Sequence, residues 1–175
     1  MTNLHQTITK FLTLKNAEIT FGPKHPENPR PELAELLTWF LKEYPYLTDP
    51  TYQEFLSVYG GAGIFFEEEI SYGLDFLSIY EIEGPLTDDQ VTEEFVDECY
   101  FPFAEVTLIT HKKRAVSIVY AFKNDGRLGV YRKLYREKAD QKDSFEEAPF
   151  EWVYANFLAF LEDVVEKKGI MIELK

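Results

Sequence analysis

The chain has 175 residues, of which 45% are hydrophobic and 28% charged, with a formal net charge of −13. That length and composition allow a single core without disulfides or metal, and are too apolar for intrinsic disorder. The charge argues against nucleic acid and anionic membrane as partners, because their capture needs Lys and Arg to neutralise phosphate.

In chain order, Leu4, Ile8, Phe11 and Leu12 stand at helical spacing in a Thr-rich context, and Glu18–Phe21 reads as a short strand. Residues 22–31 carry four prolines and read as a loop, so residues 1–30 are predicted to be an N-terminal extension to one domain spanning 31–175. Pro31 suits the first position of a helix whose apolar stripe is Leu33, Leu36, Leu37, Phe40, Leu41 and Tyr44, and Pro45 ends it. Asp49 is placed to N-cap a second helix. Tyr52, Phe55, Leu56 and Tyr59 form its buried face, and Gly60 its left-handed stop.

Strands are predicted over Ile64–Phe66 and Leu74–Ile82, followed by a helix from a capping box at Thr87–Gln90 toward Cys99, broken by Phe101-Pro-Phe103. Val106–Thr110 and Ala115–Phe122 read as strands, and Asn124-Asp-Gly126 is a hairpin turn leading into Leu128–Leu134. After a charged loop from Arg136 to Asp143, a last helix is predicted from Pro149 to Lys168, with Trp152, Val153, Phe157, Phe160, Leu161, Val164 and Val165 on its apolar side. The order gives an α+β fold, an antiparallel or mixed sheet flanked by helices, with no βαβ alternation.

Signals for chemistry are sparse. His5, His25 and His111 are isolated and read as surface residues, with no metal-ligand spacing among them. Cys99, the only cysteine, excludes an internal disulfide, has no nearby His to activate it, and reads as a small core residue. Gly60-Gly-Ala-Gly63 follows a helix, whereas phosphate loops follow a strand. Gly60, Gly61 and Gly63 therefore read as a structural turn. No cofactor, metal or catalytic site is predicted. The lone cysteine, the absence of a secretory leader pattern and the shortness of the apolar runs point to a cytoplasmic protein.

Charge placement carries more information. From Glu43 to His111 there are sixteen acids and no Lys or Arg, while the remaining residues hold fifteen acids and eighteen bases. Such a field attracts basic proteins and speeds encounter with them. Carboxylates cannot be buried unpaired, so many must face water or a partner. The candidate partner-binding residues are Glu67, Glu68, Glu69, Asp75, Glu81, Glu83, Asp88 and Asp89. Tyr72 and Tyr80 are candidate aromatic anchors, drawn from a surplus of eleven Tyr.

Three stretches carry a family resemblance: Tyr46–Gly61 (YLTDPTYQEFLSVYGG), Tyr100–Ala104 (YFPFA) and Ala148–Val153 (APFEWV). Together they resemble the SUKH superfamily of bacterial immunity proteins and fungal regulators of cell-wall synthesis. Tyr59 stands where that family usually has Asn before Gly-Gly, and Pro149 replaces a usual Ser. The resemblance implies a non-catalytic α+β domain, and an immunity-type inhibitor that binds a basic, nuclease-like toxin. The alternative it implies is a regulatory scaffold for cell-wall synthesis or signalling proteins.

Overall fold

The computed structural model describes residues 3–67, 71–78, 100–109, 115–137 and 145–172. Within them lie α1 (Asn3–Phe11), β1 (Ala17–Ile19), α2 (Ala34–Glu43), α3 (Pro50–Val58), β2 (Ala62–Glu67), β3 (Ser71–Phe76), β4 (Tyr100–Ile109), β5 (Ala115–Lys123), β6 (Val130–Glu137), β7 (Phe145–Glu147), β8 (Glu151–Tyr154) and α4 (Phe157–Glu166). The fold is α+β. All strand pairings are antiparallel, in the order β1-β2-β3-β4-β5-β6-β7, and β8 shares the edge of β6 with β7.

Directly opposed residues of an antiparallel sheet share a face. The rung Ile64–Leu74–Val106–Ile118–Leu134 therefore lies on one face, and Gly63–Asp75–Glu105–Val119–Lys133 on the other. The first face carries the helices. Phe76 and Tyr120 of the sheet meet Phe160 of α4, with ring centroids 5.8 and 4.6 Å apart. Phe103, stacked on Phe122 at 4.4 Å, meets Tyr52 of α3 and Phe157 of α4. This aromatic layer is the centre of the core, and most of its rings are fully buried.

Two helix N-termini meet at one carboxylate. Asp49 is 3% exposed. Its Oδ1 accepts the Thr51 and Tyr52 N–H groups of α3 at 2.9 and 3.1 Å, while its Oδ2 accepts the Phe157 N–H of α4 at 2.8 Å. Asn156 completes the α4 cap through Ala159 N–H at 2.9 Å. At the other end of α3, Gly60 takes φ +70° and donates to the Phe55 and Leu56 carbonyls, a left-handed stop that a Cβ would strain. Gly61 and Gly63 do not adopt positive φ.

Residues 3–30 pack into the same core, and three sequence expectations are corrected. Leu4, Ile8 and Phe11 of α1 are buried, α1 packs on α4, and β1 extends the sheet from β2. The Thr-rich helix is tolerated because Thr7 and Thr9 bond the carbonyls four residues back. The last helix starts at Phe157 because Glu151–Tyr154 pairs with β6 instead, and Trp152 lies exposed on that strand. Phe101-Pro-Phe103 continues β4, with the missing Pro102 N–H absorbed at a bulge opposite β5. His25 is 8% exposed, not a surface residue. Its Nδ1 accepts the Glu27 and Asn28 N–H groups at 3.3 and 3.1 Å, which folds the Pro-rich loop back on itself. The helix predicted over residues 87–99 and the end of the strand predicted over 74–82 lie outside the described residues.

Replacing Asp49 with Ala removes the acceptor for three amides and is expected to destabilise the fold by about 2–4 kcal/mol. Asp49→Asn, which turns an amide NH2 toward one of the two helices, is expected to recover only part of that. Urea denaturation of the three proteins measures both.

Candidate binding surface on the outer face of the sheet

Opposite the helices, the open half of the sheet carries a cleft of about 600 Å³ across β2, β3 and β4. Its floor is aromatic. Phe65 is 52% exposed although it sits in mid-strand. It faces Gly73 across β2–β3, and its Cε2 comes within 2.6 Å of where a Cβ on Gly63 would lie; a Cβ on Gly73 would stand 3.3 Å from its Cδ1. The ring therefore lies across two glycines, and a Cβ on Gly63 would force it to move. Its backbone carbonyl accepts Asn16 Nδ2 at 2.8 Å, tying this part of β2 to the turn before β1.

The wall is acidic. Asp75 is directly opposite Gly63 on one side and Glu105 on the other, and Glu18 faces Gly63 from β1. Glu18, Asp75 and Glu105 are all exposed. Ser117 Oγ donates to Glu105 Oε1, and Thr107 Oγ1 lies 3.4 Å from the same oxygen, so the carboxylate is held along the sheet.

Of the residues expected to form the surface, Asp75 lines the cleft and Glu67 ends β2. Glu68, Glu69, Tyr80, Glu81, Glu83, Asp88 and Asp89 lie outside the described residues, as do Cys99 and His111. Tyr72 is not an outward anchor. It is 8% exposed, and its hydroxyl donates to the Gly169 carbonyl at 2.6 Å and accepts the Met171 N–H at 2.9 Å. Its role is to pin the segment after α4 to the sheet. Phe65, the residue that organises the cleft, was hidden in the apolar run Ile64–Phe66; the flanking Gly63 is the one local sign that its ring has room to lie flat.

Other concavities and polar clusters are simpler. A groove of about 480 Å³ between α2 and α3 is walled by Leu37, Leu41 and Val58. His5 Nδ1 lies 2.8 Å from the Tyr59 hydroxyl, and Tyr154 donates to Asp163 Oδ2 at 2.5 Å, an oxygen shared with Lys167 Nζ at 2.7 Å. Among the described residues, no three His, Cys, Asp or Glu side chains are grouped so as to hold a metal ion, and no helix is long and apolar enough to cross a membrane.

Burial pushes the Tyr72 hydroxyl up to about 12, against the opposing pull of the Met171 N–H. Burial also raises Tyr52, Tyr120 and Tyr154, the last further raised by Asp163. Unfolded tyrosines ionise near pH ~10, so above that pH the unfolded chain loses protons that the folded chain keeps. The stabilisation is complete below about pH 10 and is lost as pH climbs toward about 12 and beyond. Urea midpoints are expected to stay flat through the mildly alkaline range and then fall. Tyr72→Phe is expected to cost about 1–3 kcal/mol at neutral pH, because two buried backbone groups lose a partner, and to make the alkaline fall shallower. An unchanged alkaline slope would count against this role of Tyr72.

In comparisons with known proteins, no family model, no curated protein and no solved structure matches the chain.

Proposed function

We propose that this chain is a non-catalytic protein-binding domain of the immunity type, which neutralises a basic, nuclease-like toxin by covering it with the outer face of its sheet. The observation that carries the reading is charge placement. Sixteen acids and no base stand between Glu43 and His111, and two of those acids, Asp75 and Glu105, are directly opposed beside the exposed ring of Phe65. The three motifs that resemble the SUKH superfamily supply the biological role, and the charge supplies its physical counterpart. Nuclease domains are basic because they grip phosphate, so an acidic face both attracts them and competes for the same surface. Steering of this kind raises association rates, and speed is what a neutraliser needs.

A gene for a basic nuclease domain is expected beside this one, and the test is co-expression with that nuclease. Growth is expected to be restored. The purified pair is expected to associate several-fold more slowly once salt rises past roughly 0.1 M, where the screening length is about 10 Å. Failure of the folded protein to protect cells or to bind that nuclease would overturn the immunity reading, and binding to an envelope or signalling protein instead would favour the scaffold.

A further inference from the structure

We infer that His25 is a pH-sensitive clasp: its neutral ring holds the turn over residues 25–29 closed, and a proton on that ring releases it. The inference is independent of the proposed function.

The clasp is built on one nitrogen. His25 Nδ1 accepts the N–H groups of Glu27 and Asn28, two and three residues on, at 3.3 and 3.1 Å. Asp49 Oδ1 serves Thr51 and Tyr52 at the same spacing. Asn, Asp, Ser and Thr ordinarily fill such a position with an oxygen. Imidazole differs from them, because it accepts at one nitrogen only while neutral and donates from both once protonated. A proton at Nδ1 would set a third N–H against the other two, so the charged ring cannot keep either bond. Its surroundings do not favour the charge. His25 is 8% exposed, with the Phe21 ring edge-on at 4.6 Å and the Tyr59 ring at 6.0 Å. Tyr59 of α3 has its hydroxyl 2.8 Å from His5 Nδ1 of α1 and feels the charge of Glu54. In the loop itself Arg30 pairs with Glu32, while Lys24 and Glu27 are exposed. Among the described residues, both hydrogen bonds to the His25 side chain come from N–H donors.

The ends of the loop are fixed independently of the ring. Gly22 N–H donates to the Val58 carbonyl at 3.0 Å and Lys24 N–H to the Ser57 carbonyl at 2.8 Å. The Arg30 and His25 N–H groups both donate to the Gly22 carbonyl, at 3.1 and 3.3 Å. Release is therefore confined to the tip between these anchors, where Pro26, Glu27, Asn28 and Pro29 are all exposed. Acid converts a compact tip over a buried neutral ring into an open one that carries an imidazolium, and the domain beneath stays folded.

Isotope-labelled protein followed by NMR from about pH 8 to about pH 5, the interval in which histidine changes charge, tests this. The His25 ring signals report the proton. Exchange rates of the Glu27 and Asn28 amides, corrected for the intrinsic effect of pH, report the clasp. As two hydrogen bonds are lost, these rates are expected to rise by about tenfold or more, in step with the His25 ring and not with the His5 ring. His25→Asn keeps an acceptor at this spacing without a titrating proton, and is expected to leave both amides protected throughout. His25→Phe is expected to leave them unprotected throughout. Rates that stay flat while the ring takes up its proton would overturn the inference. So would a ring that stays neutral until the whole domain unfolds, or a His25→Asn protein that follows the wild-type curve. If a variant does not fold, the wild-type titration decides alone.

Discussion

The Asp49 carboxylate is the interaction on which the arrangement of the core depends. A helix N-terminus leaves unsatisfied N–H groups and a positive dipole end, and here two such ends converge on one buried anion. Because each oxygen serves a different helix, the carboxylate sets the distance between α3 and α4 as well as capping both. The aromatic layer follows from that spacing. Tyr52, one residue into the first cap's reach, and Phe157, the residue whose amide is capped from outside, touch each other with centroids 5.2 Å apart, and both reach Phe103 of the sheet. A merely hydrophobic contact between the helices would permit sliding; a shared anion with three amide donors does not.

The two faces of the sheet are put to different uses. The inner face is filled with apolar and aromatic side chains, while the outer face divides in two. On the β5–β6 side, Lys133 is 2% exposed and lies over the rings of Tyr135 and Phe150 at 5.2 and 5.5 Å. Phe150 in turn stacks on Tyr100 at 3.9 Å, with Lys123 above it at 6.0 Å. Positive charge on that side is drawn into aromatic contacts. On the β2–β4 side the carboxylates are outward, so the sign of the exposed charge changes across the sheet within a few strands.

Local chemistry made some elements legible and tertiary pairing hid others. Pro31, the Asp49-Pro50 pair and Gly60 mark α2 and α3 because caps and stops are local, whereas the strand from Leu74 reads as apolar on both sides and only its pairing turns Asp75 outward. Trp152, Val153 and Phe157 fit a helical period as well as a strand followed by a cap, and only the availability of the β6 edge decides for the strand. The Pro-rich loop gave no hint that His25 would turn inward, because its partners are backbone amides that no sequence pattern displays. The packing of the N-terminal helix was not legible because its partner, α4, is about 150 residues away. The cleft was half visible: its acidity is written in composition, but the glycine bed of Phe65 is assembled from two strands.

That long separation between α1 and α4 matters for the order in which the molecule is completed. Most of the sheet is a meander in which each strand pairs with the next, so its register can be established piece by piece as the chain lengthens. The cover is different in kind. Phe76, Val106 and Tyr120 are in place well before Phe160 and Val164 exist to shield them, and α1, which meets Phe76 through Phe11 and Tyr59 through His5, gains its helix partner only when α4 has been made. Synthesis therefore leaves the apolar side of the growing sheet without this helix until Phe157–Glu166 has been made. The shared cap at Asp49 and the closure of α1 on α4 can form only then, so the finishing of the core waits on a helix about 110 residues downstream of the carboxylate that caps it.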